Sequence, residues 1–511
     1  MRALTTWCRR PVVGIAACAI GIASMVGAPM SAAAATRDPL QIQWDRCPKL
    51  GSGIDCAVVK VPLDYTKPRG KQISLAVARI AARKPAKKIG SLLFNVGGPG
   101  FGEVDRMSEV AGALPDQIRD RFDLVGWDPR GTGRSRAVNC DFDMEALLAA
   151  DSTPDTQEEL STVTAENSKL VAACEKKHGT DFLRSIGTDS TIRDLERLRV
   201  GVGDRRLTFL GFSYGTYIGA KYAAKYPNRI RAMIFDGPVD PTLSAADSEV
   251  SQRAGFQHAF NVFLEQCAER SNCPLNSGDG PRSTFDAARA RSEAGTITAT
   301  RSSSGTRDRN AAPASVILTA GMFDTGIAEA LYYGDAGYSL LERAIADAAE
   351  GDGSNLLLLA DEYNQRQADG TYSPELQAFQ AIYCVDHVLP TAGEWQNAFE
   401  ESKKSSPDFG GSGLLIPYWC SSWPVHAPKS AAISFPKSFQ RTLVIAASAD
   451  PATPLTEGKG LAKLLPNSLL MTVDSAEHTN AFSGNSCVDR VWVRYLISQK
   501  LPAGRQMACG A

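Results

Sequence analysis

Apolar runs alternate with helical patterns along the first half of the chain. Runs typical of buried strands cover residues 91–96, 122–128, 207–211 and 233–235, and residues 191–202 carry apolar side chains at helical spacing. Strands that alternate with helices form mostly parallel sheets covered by helices. We therefore predict an α/β core in this part of the chain.

The pattern changes between about residue 244 and residue 430. Helical periodicity dominates there and no good buried strand is found, which predicts a mostly helical insertion. The clearest helical segments are 314–331, 338–349 and 356–366, and a polar loop is predicted at 302–308. Strand patterns return at 442–447 and 468–473. This order predicts one α/β sheet that is interrupted by a second, helical lobe.

The first 35 residues have the pattern of an export signal. Three arginines precede a long apolar stretch, and the small-residue run 31–35 is suited to cleavage by a signal peptidase. We expect residues 1–35 to be removed and the mature protein to be secreted or associated with the cell envelope. A retained membrane anchor and lipidation at Cys18 are the alternatives. No later stretch reaches the ~18 apolar residues of a membrane-spanning helix.

Composition and charge restrict the class of protein further. The chain has 511 residues, 43% of them hydrophobic and 22% charged, which is enough apolar material for a large core. Its formal net charge of −1 offers no basic excess for a nucleic-acid backbone. We therefore expect a globular protein without a nucleic-acid partner, and its oligomeric state is left open.

Ten cysteines follow the predicted signal. An even number of cysteines in an exported chain is typical of a disulfide-bonded protein. A zinc site would need a Cys-x-x-Cys pair or clustered histidines, and neither is present, so no metal is expected. Pairing in consecutive order gives Cys47–Cys56, Cys140–Cys174, Cys267–Cys273, Cys384–Cys420 and Cys487–Cys509.

A candidate nucleophile lies between a predicted strand and a predicted helix. The segment 211–215 reads Gly-Phe-Ser-Tyr-Gly and is the only Gly-x-Ser-x-Gly in the chain. In such a turn Ser213 is held in a strained conformation with its hydroxyl above the sheet edge, and larger residues at the two glycines would collide with backbone. An ordinary glycine-rich turn is the alternative interpretation.

A serine hydroxyl needs a base to accept its proton, and the base needs an acid to orient it. His478 follows the last predicted strand and Asp450 follows the strand before it. The order Ser213, Asp450, His478 is that of the α/β-hydrolases. The alternatives are a structural histidine, a helix-capping aspartate, and His387 as a reserve base within the helical insertion.

Two backbone N–H groups are needed to stabilise the oxyanion of the reaction. The residue after the nucleophile, Tyr214, supplies one. The other is predicted in the glycine-rich segment 97–100, where Pro99 has no N–H, so that Gly98 is the better donor and Gly100 the reserve. A turn that needs glycine only for its backbone conformation is the alternative.

Taken together, these motifs identify a family. The chain resembles the secreted bacterial tripeptidyl aminopeptidases, relatives of the proline iminopeptidases within the α/β-hydrolases, over nearly its whole mature length. The matching segments are 95–100, 126–135, 211–217, 236–241, 381–384, 450–454 and the terminal stretch from Cys487 to Cys509. Val96 departs from the family pattern, since proline iminopeptidases usually have a histidine there. Glu477-His478-Thr479 replaces a more common Gly-His-Gly-like turn.

The resemblance implies an α/β-hydrolase sheet with a large, mostly helical cap over the active site. Residues 36–243 would form the first part of the core, 244–430 the cap, and 431–511 the C-terminal, TAP-like part of the core. A cap limits the entry of chains, and a carboxylate in it can bind the free ammonium group of a substrate. Asp386 and Glu249 are the candidates, and for both a solvated surface acid is the alternative.

The implied function is an exported serine exopeptidase that uses no cofactor. It would release short peptides, tripeptides in particular, from the free N-termini of peptides or proteins. The same residues can cleave esters, so a secreted carboxylesterase or lipase is the first alternative. A non-catalytic binding protein on this scaffold is the second.

Overall fold

A ten-stranded mixed sheet organises the computed structural model, which describes residues 41–150, 156–301, 314–411, 416–427 and 432–510. The strands are β1 Asp45–Arg46, β2 Ile54–Pro62, β3 Gln72–Ile80, β4 Gly90–Asn95, β5 Phe122–Trp127, β6 Leu207–Phe212, β7 Ile230–Asp236, β8 Thr298–Arg301, β9 Ala314–Ile317, β10 Leu443–Ala447, β11 Leu469–Val473 and β12 Gln506–Cys509. The large sheet has the order β1-β2-β3-β5-β4-β6-β7-β10-β11-β12, and β8 pairs only with β9. Along this order, every pairing from β5 onward to β12 is parallel, while the pairings β1–β2, β2–β3 and β3–β5 are antiparallel.

Helices cover the sheet and build the inserted lobe. They are α1 Met107–Ala113, α2 Asp116–Arg119, α3 Glu145–Ala149, α4 Gln157–His178, α5 Thr180–Ser185, α6 Thr188–Gly201, α7 Tyr214–Lys225, α8 Ala245–Ala268, α9 Pro281–Glu293, α10 Ala320–Tyr332, α11 Asp335–Ala349, α12 Ser354–Tyr363, α13 Glu375–Asp386, α14 Ala392–Ser405, α15 Ile416–Ser421, α16 Leu455–Leu464 and α17 Ser486–Ser498. Short 3-10 turns lie at Pro85–Lys87 and Pro227–Arg229.

The hydrophobic residues of the parallel strands point alternately to the two faces of the sheet. Leu93 and Phe209 belong to one buried cluster, and their neighbours Leu92 and Leu210 belong to another. This alternation is the period of two that a strand imposes, and burial on both faces explains the continuous apolar runs of the sequence. The predicted α/β core with a mostly parallel sheet is therefore confirmed.

The inserted lobe has a hydrophobic core of its own. Phe260, Phe263, Phe285 and Phe323, on α8, α9 and α10, belong to a third buried cluster. The helix α13 is different, because its Ala381 and neighbouring apolar residues pack into a cluster of the main sheet. The lobe is thus attached to the core through α13.

The secondary-structure prediction for the inserted lobe is corrected at one segment. A helix was expected over 314–331, but residues 314–317 form β9, which pairs with β8, and the helix α10 begins at Ala320. The inserted lobe therefore contains a small sheet, whose β-branched Val316 and Ile317 favour a strand. The predicted loop at 302–308 and the predicted signal lie outside the described residues.

The antiparallel strand β2 was missed because it is buried mainly on one side. In β2 the side chain of Val58 is 68% exposed, while Ala57 and Val61 on the other face are buried. A search for continuous apolar runs does not detect such a strand.

Five disulfides join the cysteines of the described residues in consecutive order. They are Cys47–Cys56, Cys140–Cys174, Cys267–Cys273, Cys384–Cys420 and Cys487–Cys509. Within the ranges that the structure describes, no helix has both the length and the apolar composition needed to cross a bilayer.

Candidate active site

Five adjacent parallel strands bring the candidate residues to one edge of the sheet. The strands β4, β6, β7, β10 and β11 are neighbours in this order, and their carboxyl ends lie at the same edge. Gly98, Ser213, Asp450 and His478 all lie in the turns that follow these strands. Parallel topology thus gathers residues that are far apart in the sequence.

Ser213 lies in a sharp turn between β6 and α7. Its backbone has φ 50° and ψ −125°, a conformation that a residue with a side chain seldom adopts. A Cβ atom added to Gly211 would lie 2.5 Å from the Gly215 carbonyl oxygen, and one added to Gly215 would lie 2.4 Å from the Asn95 carbonyl oxygen. Both glycines are therefore required by close backbone contacts, as the sequence predicted.

The candidate base and acid form a direct hydrogen bond. The Nδ1 atom of His478 lies 2.9 Å and 3.0 Å from the two carboxylate oxygens of Asp450. Asp450 is 1% exposed and also accepts the backbone N–H groups of Ala452 and Thr453, each at 2.9 Å. These contacts fix the carboxylate, which in turn orients the imidazole with Nε2 as its free ring nitrogen.

The environment of His478 determines its protonation. Burial disfavours the charged imidazolium, but the nearby Asp450 carboxylate favours it through charge and a hydrogen bond, with smaller effects from Asp236 and Glu457. The net result is a pKa raised above its ordinary value of 6.5. A base with such a pKa is suited to accept a proton near neutral pH.

Ser213 and His478 are connected through the end of β7. The N–H of Ser213 donates to the carbonyl oxygen of Asp236 at 2.9 Å, and a Cβ atom on Gly237 would lie 3.1 Å from Cε1 of His478. Among the described residues, the Ser213 hydroxyl makes no direct hydrogen bond to the imidazole. Such contacts often form only when substrate binds.

The two predicted oxyanion donors lie in neighbouring turns, after β4 and after β6. The N–H of Gly97 donates to the Asn95 side chain at 3.2 Å, whereas in the described part of the chain the N–H groups of Gly98 and Tyr214 have no protein acceptor. A Cβ atom on Gly97 would lie 3.0 Å from the nitrogen of Tyr214. Gly100 packs against the start of α13, since its Cβ atom would lie 2.6 Å from the carbonyl oxygen of Glu375.

The two carboxylates predicted to bind the substrate ammonium group have different surroundings. Asp386, at the end of α13, accepts the N–H of Thr188 at 2.7 Å, the Thr188 hydroxyl at 2.6 Å, and the phenol of Tyr214. Three protein donors thus occupy it. Glu249, on α8, is 7% exposed and forms an ion pair with Arg253 at 3.5 Å. Burial raises the pKa of Glu249, against the effect of Arg253.

The reserve base His387 is used elsewhere. Its Nδ1 lies 2.9 Å from the Tyr383 carbonyl oxygen, and its ring stacks on that of Tyr383 with 4.1 Å between centroids. Burial lowers its pKa. In the described ranges, no group of three or more His, Cys, Asp or Glu side chains is arranged to hold a metal ion.

Two contacts of the site were not found from the sequence. The carbonyl oxygen of Tyr332, at the end of α10, accepts the N–H of His478 at 3.1 Å, and the Tyr332 ring stands edge-on to the imidazole. Glu103 accepts the side-chain N–H of Asn95 at 2.6 Å beneath the oxyanion turn. No local motif marks either residue.

Comparison with known proteins gives a consistent set of relatives. A family model for the alpha/beta hydrolase fold matches residues 90–277, and one for TAP-like proteins matches residues 406–509. The chain is 33% identical to serine protease Hip1 of Mycobacterium tuberculosis over 90% of this chain and 89% of that protein. It is 33% identical to carboxylesterase B of the same species (88% and 85%) and 27% identical to the tripeptidyl aminopeptidase of Streptomyces lividans (94% and 89%).

Proposed function

Because this chain belongs to the α/β-hydrolase family and shares its TAP-like C-terminal region, it is a serine hydrolase, and we propose that it is an exported exopeptidase. In this proposal it releases short peptides, tripeptides in particular, from free N-termini. The observation that carries the proposal is the Asp450–His478 hydrogen bond beside a strained Ser213 at one sheet edge.

The first half of the proposed reaction forms an acyl-enzyme. The Ser213 oxygen attacks the scissile carbonyl carbon while Nε2 of His478 takes the hydroxyl proton. The carbonyl oxygen becomes an oxyanion, which the N–H groups of Gly98 and Tyr214 stabilise. His478 then donates its proton to the leaving amine, and the C–N bond breaks. Asp450 stays ionised and stabilises the imidazolium throughout.

The second half repeats these steps with water. His478 accepts a proton from the water molecule, whose oxygen attacks the acyl carbon. Collapse of the second oxyanion breaks the bond to Ser213, which recovers its proton from the imidazolium. The released peptide carries a new carboxylate.

The cap supports an exopeptidase rather than an endopeptidase. We propose residues 244–430 as the cap, between core segments 36–243 and 431–511. The helix α8 approaches the catalytic acid closely, since a Cβ atom on Gly255 would lie 2.6 Å from the Pro451 carbonyl oxygen. Glu249, on the same helix, is our candidate for binding the substrate ammonium group, because Asp386 already has three donors.

Export is the remaining part of the proposal. The N-terminal pattern of residues 1–35 supports it, as do five disulfides, since such bonds persist in oxidising compartments. The serine protease and tripeptidyl aminopeptidase relatives are consistent with peptide substrates.

A substrate panel tests the peptidase proposal. Peptide p-nitroanilides of two, three and four residues, each with a free or an acetylated amino terminus, are compared at equal enzyme concentration, with Ser213→Ala as the background. We expect the free tripeptide to be cleaved best. Glu249→Gln should reduce the preference for the free amino terminus by about tenfold, because it removes a charged partner. Equal cleavage of acetylated peptides would contradict the proposal.

Carboxylesterase activity is the second candidate. The relative named carboxylesterase B, at 33% identity, favours it, and the same triad chemistry cleaves esters. Hydrolysis of p-nitrophenyl acetate with no cleavage of any peptide in the panel would make this candidate the better one.

A further inference from the structure

Asp236, the last residue of β7, contacts both the nucleophile turn and the histidine loop. Its carbonyl oxygen accepts the N–H of Ser213 at 2.9 Å. Its carboxylate accepts the N–H of Asn480 at 3.0 Å to each oxygen and the N–H of Ala481 at 2.6 Å. The side chain is fully buried. One residue thus joins the two segments that carry the proposed nucleophile and base.

The histidine loop depends on contacts of this kind. Thr479 and Phe482 have φ angles of 77° and 90°, in the left-handed region that non-glycine residues seldom adopt. Such residues keep this conformation only where surrounding contacts hold them. The two N–H groups bound by Asp236 lie between these strained positions, and His478 is the residue before the first of them.

Asp236 is not itself the triad acid. The Nδ1 atom of His478 is already bound by Asp450, and no hydrogen bond joins the imidazole to Asp236 among the described residues. The charged groups that face Asp236 most strongly are His478 and Asp450. Burial raises the pKa of Asp236 to about 7, against the two backbone N–H groups, which favour the ionised carboxylate.

We propose that Asp236 is a positioning residue that sets the separation between Ser213 and His478 by holding the histidine loop against the nucleophile turn. This inference rests on the proposed triad. The proton still passes from the Ser213 hydroxyl to His478, and Asp236 exchanges no proton with the substrate. Its carboxylate keeps the imidazole within reach of the hydroxyl.

The test is the variant Asp236→Asn. Its amide replaces one carboxylate oxygen, both of which accept from the loop, by an NH2 group that cannot accept, and it removes the negative charge. The loop is then held less tightly and His478 can move away. Misplacement of about 1 Å costs on the order of 100-fold in rate. We expect kcat for p-nitrophenyl acetate and the rate of fluorophosphonate labelling to fall together by about 10- to 100-fold, with KM changed less than about twofold. Unchanged kcat and labelling rate would overturn the inference.

A control variant separates positioning from the general loss of a carboxylate that binds a backbone N–H. Asp204 accepts the N–H of Ser91 at 2.8 Å, at the opposite edge of the sheet, where β4 begins. Asp204→Asn makes the same chemical change there and should keep both rates at the wild-type value. An equal loss of rate in Asp204→Asn would show a merely structural effect and would also overturn the inference.

Two further comparisons keep the result decisive. If Asp236→Asn does not fold, Asp236→Glu keeps the charge but displaces the carboxylate by one methylene, and a wild-type kcat in that variant would refute positioning. Wild-type protein is labelled first. If it is not labelled at Ser213, the triad fails, whereas a labelled wild type with an unaffected Asp236→Asn refutes this inference alone.

Discussion

Replacing Gly215 by alanine should push the nucleophile turn away from the oxyanion strand. The added Cβ atom would lie 2.4 Å from the carbonyl oxygen of Asn95, where ordinary contact begins at 3.4 Å. The deficit is therefore about 1 Å, and the nearest atom belongs to the backbone, so that rotation of a side chain cannot relieve the contact. Because Ser213 precedes this residue and Gly98 follows Asn95, the shift should change the distance between nucleophile and oxyanion donors.

The expected cost has two parts. Overpacking of this kind lowers the free energy of unfolding by about 1–3 kcal/mol. A displacement of about 1 Å at the reacting atoms lowers kcat/KM on the order of 100-fold. Thermal unfolding and hydrolysis of p-nitrophenyl acetate measure these two effects.

Gly112→Ala is the matched control for this variant. Gly112 is an exposed residue of α1 with nothing within 4 Å of the added Cβ atom. There alanine should leave activity unchanged and stabilise the helix by up to about 1 kcal/mol. Gly215→Ala with wild-type activity and a wild-type unfolding temperature would refute the reasoning about the turn.

Three further outcomes are expected. Asp450→Asn should lower kcat by about 10³- to 10⁴-fold with little change in KM, because the amide favours the wrong tautomer of His478. Steady-state kinetics measure this effect, and a loss of kcat below tenfold would contradict the role of Asp450 as the triad acid. A protonated His478 cannot act as a base, so kcat/KM should fall as the pH drops through its raised pKa. A pH profile of kcat/KM whose acid limb has its midpoint below 6.5 would contradict the raised pKa of His478. The Cys487–Cys509 disulfide closes a loop of 22 residues and so restricts the unfolded chain. Removing it should lower the free energy of unfolding by about 3 kcal/mol in denaturant titrations, and an unchanged free energy of unfolding would contradict this reasoning.

Features set by local sequence could be predicted, while those set by distant contacts could not. The nucleophile turn needs only a strand, two glycines and a helix in succession, so segment 211–215 was sufficient. The contact of Tyr332 with His478 has no such signature, because it arises only when α10 packs on the loop after β11. Asp236 has no local signature either, because its carboxylate accepts the N–H groups of residues that lie far along the chain.

Asp386 shows why the partners of a carboxylate cannot be predicted from sequence alone. An acid at the end of a cap helix was expected to face the substrate. In the structure it accepts hydrogen bonds from Thr188 and from the phenol of Tyr214. Sequence cannot distinguish these uses, since both need a carboxylate and only tertiary packing decides which donors reach it.

The most direct measurement is active-site labelling with a fluorophosphonate, followed by intact mass and peptide mapping. We expect a single adduct on the folded wild-type protein, located at Ser213, and none on Ser213→Ala. Absence of an adduct on the active wild-type protein, or an undiminished adduct on Ser213→Ala, would contradict the assignment of Ser213 as the nucleophile.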